Sequence, residues 1–103
     1  MKPEIGRMER RYATAIPVRV ASLDRLGLSE QATTENVSLF GARILAQKMW
    51  GQNERVVVES SRGVGSWPAR VIYCQVLKTG GTAIGVRLAR ERPNRLSDRG
   101  LMG

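Results

Sequence analysis

The residues best suited to chemistry stand in one short run, Asn36-Val37-Ser38-Leu39-Phe40-Gly41, downstream of a basic segment that carries Arg7, Arg10 and Arg11. The run places a side-chain amide, a hydroxyl and a glycine at close spacing. A tight turn of these residues presents an amide donor and acceptor, an O–H and backbone N–H groups around one small polar ligand. Arginine adds planar cationic forks that suit phosphate oxygens and the O6/N7 edge of guanine. Together the two segments point to a receptor for an anionic nucleotide. A structural role is open as well, because Asn and Ser side chains tie down their own turns and glycine often ends one.

Catalysis is a poor fit. The chain has no histidine, which excludes Ser–His and Cys–His nucleophile pairs and the commonest zinc ligand. No cluster of carboxylates takes its place. Cys74 is the single cysteine, so no intrachain disulfide and no cysteine metal cluster can form. Inside Val71-Ile72-Tyr73-Cys74-Gln75-Val76 it reads as a small buried hydrophobe on a strand. The expectation is a binding protein, not an enzyme, with no metal and no cofactor.

The formal net charge is +8, from 17 Lys+Arg against 9 Asp+Glu in 103 residues. Arginine gathers at the two ends, at Arg7, Arg10 and Arg11, then Arg87, Arg90, Arg92, Arg95 and Arg99. Such an excess either keeps a surface solvated or attracts polyanions. Aromatic residues are only 5% of the chain and do not interleave with the basic ones, which disfavours a nucleic-acid surface built on base stacking. No apolar run is long enough to span a bilayer, and the first residues lack a secretory hydrophobic segment. Cytoplasmic residence is the expectation.

The elements that must position these residues are short strands. Pro17-Val18-Arg19-Val20-Ala21 alternates like a half-buried strand and leads into a turn at Leu23 to Gly27. Ala32 to Val37 leads into the polar run, and Gly41 to Ala46 leaves it. Arg55 to Glu59 is β-branched at its centre, with Val56-Val57-Val58 as packing residues. Trp67 to Leu77 is longer, with Pro68 expected at its start or edge. Lys78-Thr79-Gly80-Gly81 makes a hairpin turn, and Thr82 to Leu88 returns. Trp50 and Trp67 read as core or lid residues, and Arg43 as facing solvent or the rim of a site. At 103 residues one domain is expected. About six strands at short spacing predict an all-β fold, a six-stranded antiparallel barrel or a closely curled sheet. It would span 16–89, between a flexible basic arm at 1–15 and a basic tail or short helix at 90–103.

In order and spacing these residues resemble the PilZ domain, a bacterial receptor module for cyclic di-GMP. The resemblance rests on Glu9-Arg10-Arg11, Ile16-Pro17-Val18, Asn36-x-Ser38-x-x-Gly41 followed by Ala42-Arg43-Ile44, and Gly85-Val86-Arg87-Leu88. It implies that Arg10 and Arg11 on the arm, with Asn36, Ser38 and Gly41 on the turn, bind the ligand. Arg7 and Arg43 are second-tier candidates. A third arm arginine belongs four residues after Arg11, where this chain has Ala15. One missing charged contact of about 1.5–3 kcal/mol weakens binding on the order of ten- to a hundred-fold. The resemblance implies a receptor or adaptor that signals to a protein partner by ordering its arm. The alternative is a barrel of the same kind that docks a protein and no longer binds the nucleotide.

Overall fold

The computed structural model describes residues 13–63 and 65–89. Within them the chain forms six strands and no helix: β1 (Pro17–Ser22), β2 (Ser29–Val37), β3 (Gly41–Ala46), β4 (Arg55–Ser60), β5 (Ser66–Val76) and β6 (Thr82–Leu88). Every neighbouring pair is antiparallel, and the sheet closes in the order β1-β2-β3-β6-β5-β4, with β4 returning to β1. This is the six-stranded antiparallel barrel that the strand spacing predicts. Of the arm at 1–15 only residues 13–15 are described, and the tail at 90–103 lies outside the described residues.

Alternation builds the core. Val18 and Val20, Ile44 and Ala46, Val56 and Val58, Ala69 and Val71, and Ile84 and Val86 point inward from five strands. Each large aliphatic side chain so buried contributes about 1.5–3 kcal/mol, and their β-branched shapes fit a pleated surface. Trp50 closes one end, its Nε1 donating to Glu30 Oε2 at 2.8 Å. Cys74 packs half-buried against this core, while Trp67 stays at the rim, 43% exposed. Pro68 pairs with Val57 on β4, and its carbonyl accepts from Ala89 N at 2.9 Å, one residue past the end of β6, so its missing N–H falls at the margin of the β5–β6 ladder.

The strands β1, β4 and β5 differ from the sequence reading by one residue at their ends, and β2 by more. β2 begins at Ser29, three residues before Ala32. Ser29-Glu30-Gln31 carries no apolar alternation, because Glu30 serves another element. Its carboxylate accepts from the backbone N–H groups of Gln47 (2.9 Å) and Lys48 (3.0 Å) as well as from Trp50, and so caps the β3–β4 connection.

Two bulges matter for function. The β2–β3 register shifts between Thr34 and Asn36, and the β5–β6 register between Val71 and Tyr73. An extra residue breaks the in–out alternation. Glu35 and Asn36 therefore both turn outward, as do Ile72 and Tyr73.

The chain enters β1 along β2. The buried Thr34 hydroxyl donates to the Thr14 carbonyl and accepts from Ile16 N (2.8 Å), while Thr34 N donates to Ile16 O (3.0 Å). Residues 14–16 are thereby fixed to the sheet beside Asn36.

Candidate functional site

Four strands place one row of residues on the outer face. Asn36 stands opposite Arg43, Arg43 opposite Gly85, and Gly85 opposite Tyr73. Directly opposed residues share a face, and the next residue after Arg43, Ile44, is fully buried, so this row faces out. Both bulges end on it. A cleft of about 320 Å³ lies along the row, lined by Asn36, Phe40, Arg43, Tyr73, Gly85 and Arg87 among others.

Gly85 makes the row possible. A Cβ there would meet the Tyr73 ring at 2.2 Å, so the ring lies across the bare backbone of β6. From that position Tyr73 Oη accepts from Arg43 Nη1 at 2.9 Å, and the guanidinium sits 5.9 Å from the ring centre. On its other side Arg43 Nε donates to Glu35 Oε1 at 2.6 Å. These two contacts, Tyr73 first and Glu35 second, hold the guanidinium pKa above its ordinary value. Arg43 is a fixed cation whose fork lies between an aromatic ring and a carboxylate.

The residues predicted from sequence divide. Asn36, Gly41 and Arg43 line the cleft together. Ser38 instead lines an adjoining apolar cavity of about 720 Å³ at the barrel end, with Leu39 and Trp67. Its hydroxyl accepts from the N–H groups of Phe40 (3.1 Å) and Gly41 (3.2 Å), which ties the turn together. Gly41 is glycine because β6 runs against it: a Cβ would fall 2.1 Å from the Val86 carbonyl oxygen. Arg7, Arg10 and Arg11 lie outside the described residues. Ala15 is exposed, beside the Thr14 anchor on β2.

Tyr73, Gly85, Glu35 and Arg87 were not singled out as site residues from the sequence. A signal for two of them was there. Counting outward from the Lys78–Gly81 turn, where Val76 faces Thr82, sets Tyr73 opposite Gly85. The meeting of that pair with Arg43 depends on β3 joining β6, which no local pattern announces.

The barrel is similar to solved structures. The PilZ domain of CeSA from a cellulose-synthesizing bacterium matches with a TM-score of 0.61 at 24% identity, over 91% of this chain and 99% of that one. The Bacillus subtilis inhibitor of motility MotI/DgrA matches with a TM-score of 0.58 at 12% identity. There the match covers 89% of this chain but 46% of the other, so this chain spans less than half of that protein's chain. No protein-family model and no curated protein matches the sequence.

Proposed function

Taking the PilZ-type barrel of this chain as the premise, we propose that it is a receptor for cyclic di-GMP that passes ligand occupancy to a partner protein. The observation that carries this reading is the outward row Asn36, Arg43, Gly85, Tyr73 on one cleft. It offers an amide for a base edge, a fork for guanine O6 and N7, and an aromatic face for stacking. Arg43 exchanges its contact with Glu35 for the ligand. Gly41 holds the turn close to β6, and Ser38 keeps the turn in shape.

Arg10 and Arg11 supply the phosphate contacts. Arg11 is three residues before Thr14, so chain length alone keeps the two Cα atoms within about 11 Å. Thr14 is bonded to Thr34, two residues from Asn36 along β2. The arm is thus rooted at the barrel end, where Ile16 and Thr34 line the apolar cavity with Ser38 and Leu39, next to the turn that follows Asn36. The names of the structural neighbours suggest polysaccharide synthesis or motility as the process controlled.

A second reading keeps the fold as a protein-interaction module without the nucleotide. It is favoured by Ala15 in place of an arm arginine, and by the contacts that Arg43 and Ser38 already make. Titration with cyclic di-GMP, followed by calorimetry and amide shifts, decides between them. Saturable binding that moves Asn36, Arg43 and Gly85 and is weakened by Arg43→Ala and Arg11→Ala supports the receptor. No heat and no shifts at millimolar ligand leave the interaction module.

A further inference from the structure

We infer that a row of arginines across β4, β5 and β6 is a docking strip for an acidic amphipathic helix of a partner protein. Arg55 stands opposite Arg70, and Arg70 opposite Arg87. All three are exposed. Opposed Cβ atoms lie about 4.5–5.5 Å apart, where like charges repel and destabilise the sheet. Beyond Arg87 the row continues to Gly41, which has no side chain to offset the charge.

Asp24 pairs with the Arg55 end of the row. Asp24 Oδ1 accepts from Arg55 Nε at 2.9 Å and lies 2.7 Å from Nη2, and Oδ2 accepts from the Arg55 N–H at 2.8 Å. Arg70 donates to a backbone carbonyl, Asn53 O, at 3.0 Å. Arg87 has no side-chain partner among the described residues. Among the described residues, Arg70 and Arg87 therefore stand side by side with no carboxylate bonded to either, although Asp24 also acts on Arg70 through space. Asp24 on Arg55 shows which chemistry completes such a group.

The surroundings select the occupant. Leu23, Pro68, Ile72 and Leu88 share a groove of about 390 Å³ with the three arginines, and no aromatic side chain lines it. Leu23 is 54% exposed and Ile72 40%. A nucleic acid would find cations there but no stacking platform. A helix fits better, since carboxylates at i and i+4 lie about 5–6 Å apart, close to the spacing of Arg70 and Arg87. Apolar residues on the same helix face then fall on Ile72 and Leu23. The net charge of +8 steers an acidic partner to this surface. Arg87 also lines the cleft beside Tyr73, so strip and cleft share one residue.

The test is an NMR titration of the full chain with two synthetic helical peptides of equal composition. One carries glutamates one helical turn apart beside leucines; in the other the glutamates are moved to the opposite face. The patterned peptide is expected to shift the amides of Arg70, Ile72 and Arg87, and to bind about tenfold more tightly than its isomer. Arg70→Gln, outside the cleft, should weaken it about tenfold. Arg62→Gln, the same charge loss in the β4–β5 turn, should not. Equal binding of both peptides, or equal loss in the two variants, overturns the proposal. So does a single-stranded oligonucleotide that moves the same amides at lower concentration. Cyclic di-GMP is titrated separately: wild-type chain that binds the patterned peptide but no nucleotide refutes the receptor reading and leaves the strip intact.

Discussion

The ring of Tyr73 fills the space that a side chain at position 85 would need, with Cε2 2.2 Å and Cζ 2.6 Å from where the Cβ of residue 85 would be. Position 85 thus controls whether an aromatic face and its hydroxyl are presented to Arg43. Gly85→Ala should displace the ring and break the Arg43–Tyr73 contact, weakening cyclic di-GMP binding although no charge is altered. The ring position itself is checked by the Gly85 Hα resonances. One should be shifted upfield in the wild type and return towards its ordinary value in Tyr73→Ala.

Arg43 separates ligand binding from stability. Its ion pair with Glu35 is solvent-accessible, and pairs of that kind contribute about 0–1 kcal/mol. Arg43→Ala should therefore lower the unfolding free energy by less than about 1 kcal/mol. It should weaken cyclic di-GMP about ten- to a hundred-fold. Arg43→Lys should restore little, because an ammonium cannot make the two-pronged contact. Denaturant melts and calorimetry on the same preparations check both expectations.

Gly41 behaves in the opposite way. The nearest obstacle to a side chain there is the Val86 carbonyl oxygen at 2.1 Å, which is backbone and cannot swing aside. Gly41→Ala should cost about 1–3 kcal/mol through overpacking, visible as a lowered melting midpoint before any ligand is added. If the midpoint is unchanged, β3 and β6 are not in this register.

The end of the barrel opposite the motif turn sets the acid limit. Glu54 is 7% exposed and accepts from Arg25 Nε (2.8 Å) and Nη2 (2.7 Å), Ser22 Oγ (2.6 Å) and Gly51 N (2.8 Å). The Arg25 guanidinium, helped by Ser22 and Gly51, outweighs burial and lowers the carboxyl from 4.5 to about 2. The folded state therefore favours the ionised form. Its stabilisation is complete above the ordinary value of 4.5 and is lost as pH falls towards 2. Melting midpoints should drop across that window in the wild type. Glu54→Gln should start lower near neutral pH and fall less steeply in acid. Parallel curves for the two proteins would assign the acid loss to other groups.

Arg87 offers a test of the arginine row that needs no ligand. It has Arg70 on one side and Gly41 on the other. Arg87→Thr removes a like-charge pair and adds a β-branched residue, so it should raise stability by about 0.2–1 kcal/mol. A loss of stability would mean that the stem of Arg87 packs usefully on the sheet.

The barrel was legible because its signals are local. Val18/Val20, Val56/Val58 and Ile84/Val86 alternate within single strands, and the Lys78–Gly81 turn closes its hairpin with Leu77 N donating to Gly81 O at 3.0 Å. The motif turn was legible for the same reason, and Asn36, Gly41 and Arg43 meet at one cleft. Ser38 was readable as a turn residue or as a ligand residue, and composition could not decide which. Tyr73 escaped notice because its meeting with Arg43 depends on β3 joining β6, and Glu35 because it stands in a bulge, which is a property of two paired strands. Glu30 escaped for a related reason: it serves a connection seventeen residues away.

Closure of the sheet from β4 onto β1 has a consequence for every partner. Each strand already has a neighbour on both sides, so the wall of the described barrel leaves no row of open main-chain donors and acceptors for an incoming strand to zip onto. Recognition on the barrel wall is then written in side chains. Partner choice can be retuned by single substitutions on the outside of the barrel while the hydrogen-bonded cylinder beneath stays as it is.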